Sequence, residues 1–315
     1  AGQWGTALAM AGAMFGLEVM IYQVRASYDA KPGRRNHMKM YGANVVASPS
    51  SLTAYGRAVL AETPDTPGSL GIAISEGVED AATHDDTRYC LGSVLNHVLL
   101  HQTVIGQEAL QQMELAGEDP DIIIACAGGG SNFAGLTFPF IGRKLRGEAD
   151  YRFIAAEPAA APSLTRGVYA YDYGDTGQMA PIVKMHTLGH EFVPDPIHAG
   201  GLRYHGMSPQ VSLLKEHGVI EAQAVPQSTT FDAAKTFTRT ELALPAPEPA
   251  HAIAVVIEQV QKAKEAGTSP TILFNMCGHG HFDAASYTRY LDGELEDFDL
   301  PQERIEHAME TVPQV

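Results

Sequence analysis

Cationic side chains are scarce in this chain: Lys and Arg together number 21 against 37 Asp and Glu, a formal net charge of −16. That balance argues against nucleic acid or an anionic membrane as a partner, since both need a basic surface. Cysteine is scarcer still. Cys90, Cys126 and Cys277 are too few and too scattered for a disulfide framework, and they suit a reducing compartment such as the cytoplasm. No apolar run reaches transmembrane length and no signal-peptide pattern opens the sequence. An initiator Met is also missing. The sequence starts at Ala1 inside a motif, so a piece of a longer protein is expected. What is present is a chain 45% hydrophobic and 18% charged. That is enough core for one large or two medium globular domains.

The most informative stretch is Asp121–Gly135, DIIIACAGGGSNFAG. Ile122–Ile124 read as a buried strand, Gly128, Gly129 and Gly130 as a turn, and Phe133–Leu145 as a helix with Ser131 and Asn132 as N-cap residues. Glycines permit positive φ and close approach of a ligand to the main chain. A helix start adds free N–H groups and a positive dipole end, so the turn suits an anion, phosphate above all. A tight structural turn is the plain alternative. A P-loop is excluded because no Gly-Lys-Ser/Thr follows. The dinucleotide pattern G-x-G-x-x-G fits Gly128 and Gly130 but meets Phe133 at its third glycine. Glu157, closing the next strand, would be its ribose-binding acid.

Around this stretch, strands alternate with helices. Helices are expected at Gln3–Phe15, from Ser50 or Ser51 to about Glu62, and at Leu70–Ala82, Leu99–Leu115, Ser208–His217, Thr229–Leu242 and Ala250–Ala266. Strands are expected at Glu18–Val24, Ala43–Ala47, Arg152–Ala156, Val219–Val225 and Thr271–Met276, the last of them buried. Tyr28–Tyr41 is basic and reads as an exposed stretch containing Lys31 and Lys39, either a solvated helix face or a binding one. Pro158–Gly206 reads as a long loop of the kind that carries function. The fold class is α/β: two lobes with mainly parallel sheets covered by helices. Residues 1–90 form the first lobe, 91–290 the second and 291–315 an acidic tail.

Five segments in order carry a resemblance: Ala1-Gly-Gln-Trp-Gly5, Leu91-Gly-Ser93, Gly128-Gly-Gly-Ser-Asn132, Glu248-Pro-Ala-His-Ala252 and Asn275-Met-Cys-Gly-His-Gly280. Together they resemble fold type II pyridoxal-phosphate enzymes, and most closely the tryptophan synthase beta chain family. His198–Tyr204 and Cys277–Asp283 are similar to its second, divergent branch. The resemblance runs from residue 1 to about Tyr290. It implies pyridoxal 5′-phosphate as cofactor, with a monovalent cation near the phosphate loop, and β-replacement as the reaction. L-Serine or a β-substituted analogue would condense with indole to give L-tryptophan, in a homodimer with an alpha-type subunit as further partner.

The same resemblance implies roles. Gly128, Gly129, Gly130, Ser131 and Asn132 hold the cofactor phosphate, with Ser93 as a second phosphate-side contact. Ala1, Gly2, Gln3 and Trp4 grip the substrate carboxylate. Trp4 departs from the family's more frequent His, and packing is its plain reading. Glu248 receives the indole N–H, whereas an acid before a helix is otherwise a favourable N-terminal charge. Cys277 stands where the family usually has Ser facing the pyridine nitrogen, a weaker hydrogen-bonding substitute; a buried apolar thiol is the alternative. The lysine that forms the Schiff base sits, in the family, in a His-Lys motif before the Ala-Gly-Gln segment. None of the eight lysines here has that setting, so the chain by itself is expected to be inactive.

Cys277, His279 and His281, with Asp283, would share one side of an extended chain, but structural zinc sites favour other spacings. His186 and His190 are four apart across a Leu-Gly pair, and His198 and His205 read as polar loop residues. No metal site is expected. Competing functions are another fold type II enzyme, cysteine or threonine synthase-like, and a non-catalytic module binding phosphate ligands or a partner.

Overall fold

The computed structural model describes residues 2–315, so the assignment of Ala1 lies outside the described residues. The first part contains α1 (Gln3–Phe15), β1 (Met20–Val24), α2 (Arg25–Ala30), α3 (Pro32–Met40), β2 (Asn44–Ser48), α4 (Ala54–Glu62) and α5 (Leu70–Thr83). The chain continues through α6 (Asn96–Gln102), α7 (Val104–Ala116), β3 (Ile122–Cys126), α8 (Ser131–Leu145), β4 (Arg152–Pro158), α9 (Ser163–Arg166), β5 (Val168–Tyr173) and β6 (Ile182–Thr187). It ends with α10 (Pro209–Glu216), β7 (Glu221–Val225), α11 (Gln227–Glu241), α12 (Pro247–Ala266), β8 (Ile272–Phe274), α13 (Ala284–Leu291) and α14 (Gln302–Met309).

Strands β1 and β2 pair in parallel, and β7-β4-β3-β8 form a parallel sheet in that order. Parallel strands covered on both faces read as unbroken apolar runs. All five residues of β3 are accordingly buried. Ile123, Ala125 and Ala127 face one core with Phe133, Phe140, Tyr151 and Val211. Ile122 and Ile124 face the other with Ala252, Ile253 and Val255 of α12. The sheet thus lies between α7, α8 and α10 on one side and α11 and α12 on the other. The expected α/β architecture with mainly parallel sheets is present.

Several local expectations are corrected. The helix over 54–62 is capped by Thr53, whose side chain accepts from Gly56 N–H; Ser50 instead donates to the buried Glu76 carboxylate at 2.6 Å. The single helix expected over 99–115 is broken at Thr103 into α6 and α7. The helix expected from Ala250 already starts at Pro247, whose missing N–H costs nothing in the first turn. Pro158–Gly206 is no plain loop: β5 and β6 form an antiparallel hairpin, Val168 opposite Thr187. The last strand is shorter and half-buried, because β8 is an edge strand. The segment after Tyr290 is folded, with Leu300, Ile305 and Ala308 buried against Leu188 and Phe192.

Helices α7 and α8 meet through Gly106, where an added Cβ would lie 2.3 Å from Leu136 O and 2.7 Å from Gly135 O. Backbone cannot yield as a side-chain tip can. Gly106→Ala should therefore destabilise by about 1–3 kcal/mol. At Gly142 the nearest atom is the flexible Arg146 Nη1 at 3.2 Å, and Gly142→Ala should stabilise α8 by roughly 0.5–1 kcal/mol. Urea denaturation of both variants checks this; equal midpoints would refute the close-packing argument.

Candidate active site

The turn after β3 is shaped by what cannot fit there. A Cβ at Gly128 would stand 2.5 Å from Gly201 O, and one at Gly129 2.8 Å from Ser93 Oγ. Gly130 has φ 102°, in the left-handed region, and is the N-cap of α8. Ser131 is the first helical residue, its hydroxyl donating to Gly92 O at 3.3 Å. Among the described residues, the N–H groups of Gly128 to Asn132 find no acceptor within the protein. They are the free donors of a helix start. Asn132 contributes its main chain only: its Nδ2 turns inward to Cys126 O at 2.9 Å, and its Oδ1 accepts from Asn275 at 2.7 Å.

Trp4 reaches the edge of this cradle at Gly92, whose carbonyl accepts from Ser131. Its ring packs on Gly92, where a Cβ would meet Trp4 Cγ at 2.3 Å. Gly2, N-cap of α1 with φ 97°, and Gln3 follow the same wall. Gln3 Nε2 donates to Glu248 Oε1 at 3.0 Å, and Gly201 N–H donates to the same oxygen at 2.9 Å. The first-helix residues, Ser93, the glycine turn and Glu248 therefore form one continuous surface.

Glu248 is buried, at 5% exposure. Burial by itself raises a carboxyl pKa. Here the Lys31 ammonium, the Gly201 N–H and the Gln3 amide outweigh it and hold Glu248 at about 2. Lys31 Nζ stands 3.9 Å from Glu248 Oε1 and 2.6 Å from Asp283 Oδ1. Burial raises the Asp283 pKa against the pull of Lys31. Oε2 of Glu248 has no hydrogen-bond partner. Arg203, brought down to about 10 by burial, donates to Ser27 Oγ at 2.8 Å.

The exposed reading of the basic stretch is thus overturned for Lys31 and Arg34, which are 3% and 8% exposed. They face inward because α2 and α3 turn across the Glu248 wall, and two carboxylates there need a counter-charge. Sequence reasoning missed these residues and Arg203. Lys31 sits before Pro32 at the junction of two short helices, and that break was the available signal. Ser208 was also missed as a site residue. Its buried hydroxyl is unpaired and would lie 2.6 Å from a Cβ at Gly130.

Cys277 lies beyond β8 and is exposed, with its Sγ 3.8 Å from Cys126 Sγ. Glu157 does not face the glycine turn. Its oxygens accept from Leu164 and Thr165 N–H at 2.8 Å, and burial pushes its pKa up to about 7. The dinucleotide reading loses its acid. His190 is buried on Asp172 at 2.7 Å, and His205 is buried beside Tyr173. Both lie in irregular segments packed on the hairpin, and both are buried there. The His279 and His281 rings lie 5.0 Å apart and are tilted by 43° to each other.

A turn of three glycines with free N–H groups, and with the Ser93 and Ser208 hydroxyls against it, fits a phosphate group. The fold and this cradle define a fold type II pyridoxal-phosphate enzyme, and pyridoxal phosphate is the cofactor. A family model described as pyridoxal-phosphate dependent enzyme matches residues 1–278. Two solved structures share the fold: a T.th. threonine deaminase and a fungal L-serine ammonia-lyase of Rhizomucor miehei. Their TM-scores are 0.59 and 0.65, at 19% and 16% identity, covering 88% and 92% of this chain and 74% and 78% of theirs. The tryptophan synthase beta chain of Thermococcus onnurineus is 56% identical over 303 residues, 96% of this chain and 68% of that protein. Tryptophan synthase beta chain 2 of Thermococcus kodakarensis is 57% identical over 95% of this chain and 67% of its own length. This chain belongs to the tryptophan synthase beta chain family.

Lys31→Met should leave Glu248 and Asp283 buried without their cation and cost about 3–5 kcal/mol near neutral pH. Glu248, with its pKa held down, adds stability above the ordinary carboxylate range and loses it as pH falls toward about 2. The variant's deficit should therefore shrink on acidification. Chemical denaturation of both proteins at about pH 7.5 and about pH 3, inside the window between the ordinary carboxylate value and about 2, tests this; an equal deficit at both would place the cost elsewhere.

Proposed function

We propose that the protein catalyses β-replacement, joining L-serine or a β-substituted analogue to indole to give L-tryptophan. The observation that carries this reading is Glu248: buried, ionised, and with Oε2 free while Oε1 is fixed by Gln3 and Gly201. Indole attacks through C3, and positive charge grows at its N–H. A fixed carboxylate with one free oxygen is suited to accept that N–H and stabilise the charge. Because Lys31 keeps Glu248 charged, the acceptor needs no prior proton loss.

Pyridoxal phosphate, when bound, supplies an electron sink for the substrate's α-carbon. The chain's own residues do the rest of the holding. Gly128–Asn132 and Ser93 receive the phosphate, and the glycine turn supplies main-chain donors. Cys277 would face the ring nitrogen. A thiol there cannot hold a full positive charge on the ring as a carboxylate would. Gly2, Gln3 and Trp4 bind the amino-acid carboxylate at the start of α1, an anion at a helix N-terminus. Trp4 also packs on Gly92, whose carbonyl accepts the Ser131 hydroxyl at the edge of the cradle. The designation of the relatives as beta chains supports an alpha-type subunit as the indole source, and the protein is read as a homodimer.

Glu248→Gln, in the full-length protein, should slow indole addition by roughly 10²-fold or more. It should spare loss of the β-substituent from serine, a step that precedes indole. Rapid-scan absorbance resolves the two steps. An equal loss in both would remove Glu248 from the indole role.

A further inference from the structure

Two of the three cysteines meet where β3 and β8 end. The strands are parallel with Ile124 opposite Phe274, and Asn275 N–H bonds to Ile124 O at 3.3 Å. The pairing therefore leads Cys126 and the chain around Cys277 side by side. Neighbouring strands lie about 5 Å apart, within the Cα separation that a disulfide spans. The two Sγ atoms are 3.8 Å apart, so bonding them at about 2.05 Å needs a small side-chain shift. Cys126 is buried and Cys277 exposed, while Cys90 is exposed elsewhere. Asn132 Nδ2 lies 3.2 Å from Cys126 Sγ, and this links the pair to the first turn of α8.

We propose that Cys126 and Cys277 form a reversible intramolecular disulfide that loosens the cofactor's hold. The release half of the proposal rests on Cys277 meeting the ring nitrogen. A small-molecule disulfide such as glutathione disulfide is the oxidant. Exposed Cys277, as thiolate, attacks one glutathione sulfur; the glutathione S–S bond breaks and one glutathione thiolate leaves. Cys126 then gives up its proton and attacks the Cys277 sulfur, expelling the second glutathione thiolate. Two protein thiols are oxidised to one disulfide, and one glutathione disulfide is reduced to two glutathiones.

The order of attack follows from the environments. Contact with Cys277, and then burial, push the Cys126 thiol well above its ordinary pKa. It is a poor first nucleophile, because the thiolate is the reactive form. Once Cys277 carries glutathione, proximity compensates for the small thiolate fraction.

The bond has two structural effects. It turns Cys277 Sγ toward β3 and away from the ring. It also draws Cys126 Sγ toward Cys277 and away from the Asn132 amide, beside the phosphate cradle. Gly278, the next residue, accepts Ala246 N–H at 2.8 Å just before α12, so a shift of Cys277 reaches the helix that carries Glu248. The loss of one hydrogen bond to the ring corresponds to about tenfold weaker cofactor binding.

The test treats the full-length protein, with and without saturating pyridoxal phosphate, with glutathione disulfide. Free thiols are then alkylated and the digest is mapped. The expected product links the Cys126 and Cys277 peptides, is lighter by two hydrogens and reverts with dithiothreitol. Bound cofactor should slow its formation, and the linked protein should titrate with pyridoxal phosphate about tenfold more weakly by absorbance. In Cys126→Ala the expected product at this site is an unlinked glutathione adduct on Cys277, whatever adduct exposed Cys90 carries. In the native protein, a lasting adduct on Cys277 without the link, or bridges through Cys90 only, would overturn the proposal. A linked protein with undiminished cofactor affinity would overturn the release. The ring contact is read separately: reduced Cys277→Ala with an unchanged cofactor spectrum would remove that contact and leave the link standing.

Discussion

A carboxylate taken out of water stays charged only if its counter-charge is built in with it. Glu248 meets that condition through Lys31, and the arrangement of the site follows. Oε1 is held by the Gln3 amide from α1 and the Gly201 N–H from the turn at 200–202. Lys31 comes from the junction of α2 and α3, and Asp283 from the turn before α13. Three stretches far apart in sequence are drawn to the N-terminus of α12 by one charge, and Lys31 holds Asp283 there as its second partner. Apolar packing alone would leave their relative positions less constrained, because it is indifferent to direction. The ion cluster specifies which atoms face which.

The glycine turn obeys the opposite logic. It works by leaving atoms out. Gly201 O, Ser93 Oγ and Ser208 Oγ all occupy space that a Cβ on the turn would need. The register of β3 with β4 and β8 then fixes where the turn begins, since all three strands end at one edge. Ligands in open parallel sheets bind at that carboxyl edge. Here it gathers the glycine turn from β3, Cys277 from beyond β8 and Glu248 at the start of α12.

The parts of the molecule legible in the sequence are those governed by local rules. The triple-Ile strand and the glycine turn declared themselves, as did α1 with its terminal Gly16. The ordered motifs carried Gln3, Ser93 and Glu248 to one site. What stayed hidden depends on contacts distant in sequence. Lys31 and Arg34 lie in a stretch whose composition is that of a solvated surface, and only the carboxylates across the cleft draw them inside. Asn132 reads as a phosphate ligand because its type suits one, yet its amide is spent on Cys126 and Asn275. The hairpin β5–β6 was obscured by Gly, Pro and His residues that suggest loop. Its strands are held by each other and by the buried Asp172–His190 pair rather than by apolar alternation.

The packing of α14 on the hairpin region bears on how the chain is made. Leu188 and Phe192 are covered by Leu300, Ile305 and Ala308, and Arg166 is bonded to Leu300, 134 residues further on. During translation the underside of the hairpin leaves the ribosome long before its cover exists. Through that interval an apolar surface is open to water and to other nascent chains, although the parallel sheet could already close around β3, β4 and β7. Completion of this region is therefore a late event on the ribosome. A stalled or prematurely stopped chain would present this surface to chaperones rather than a finished lobe.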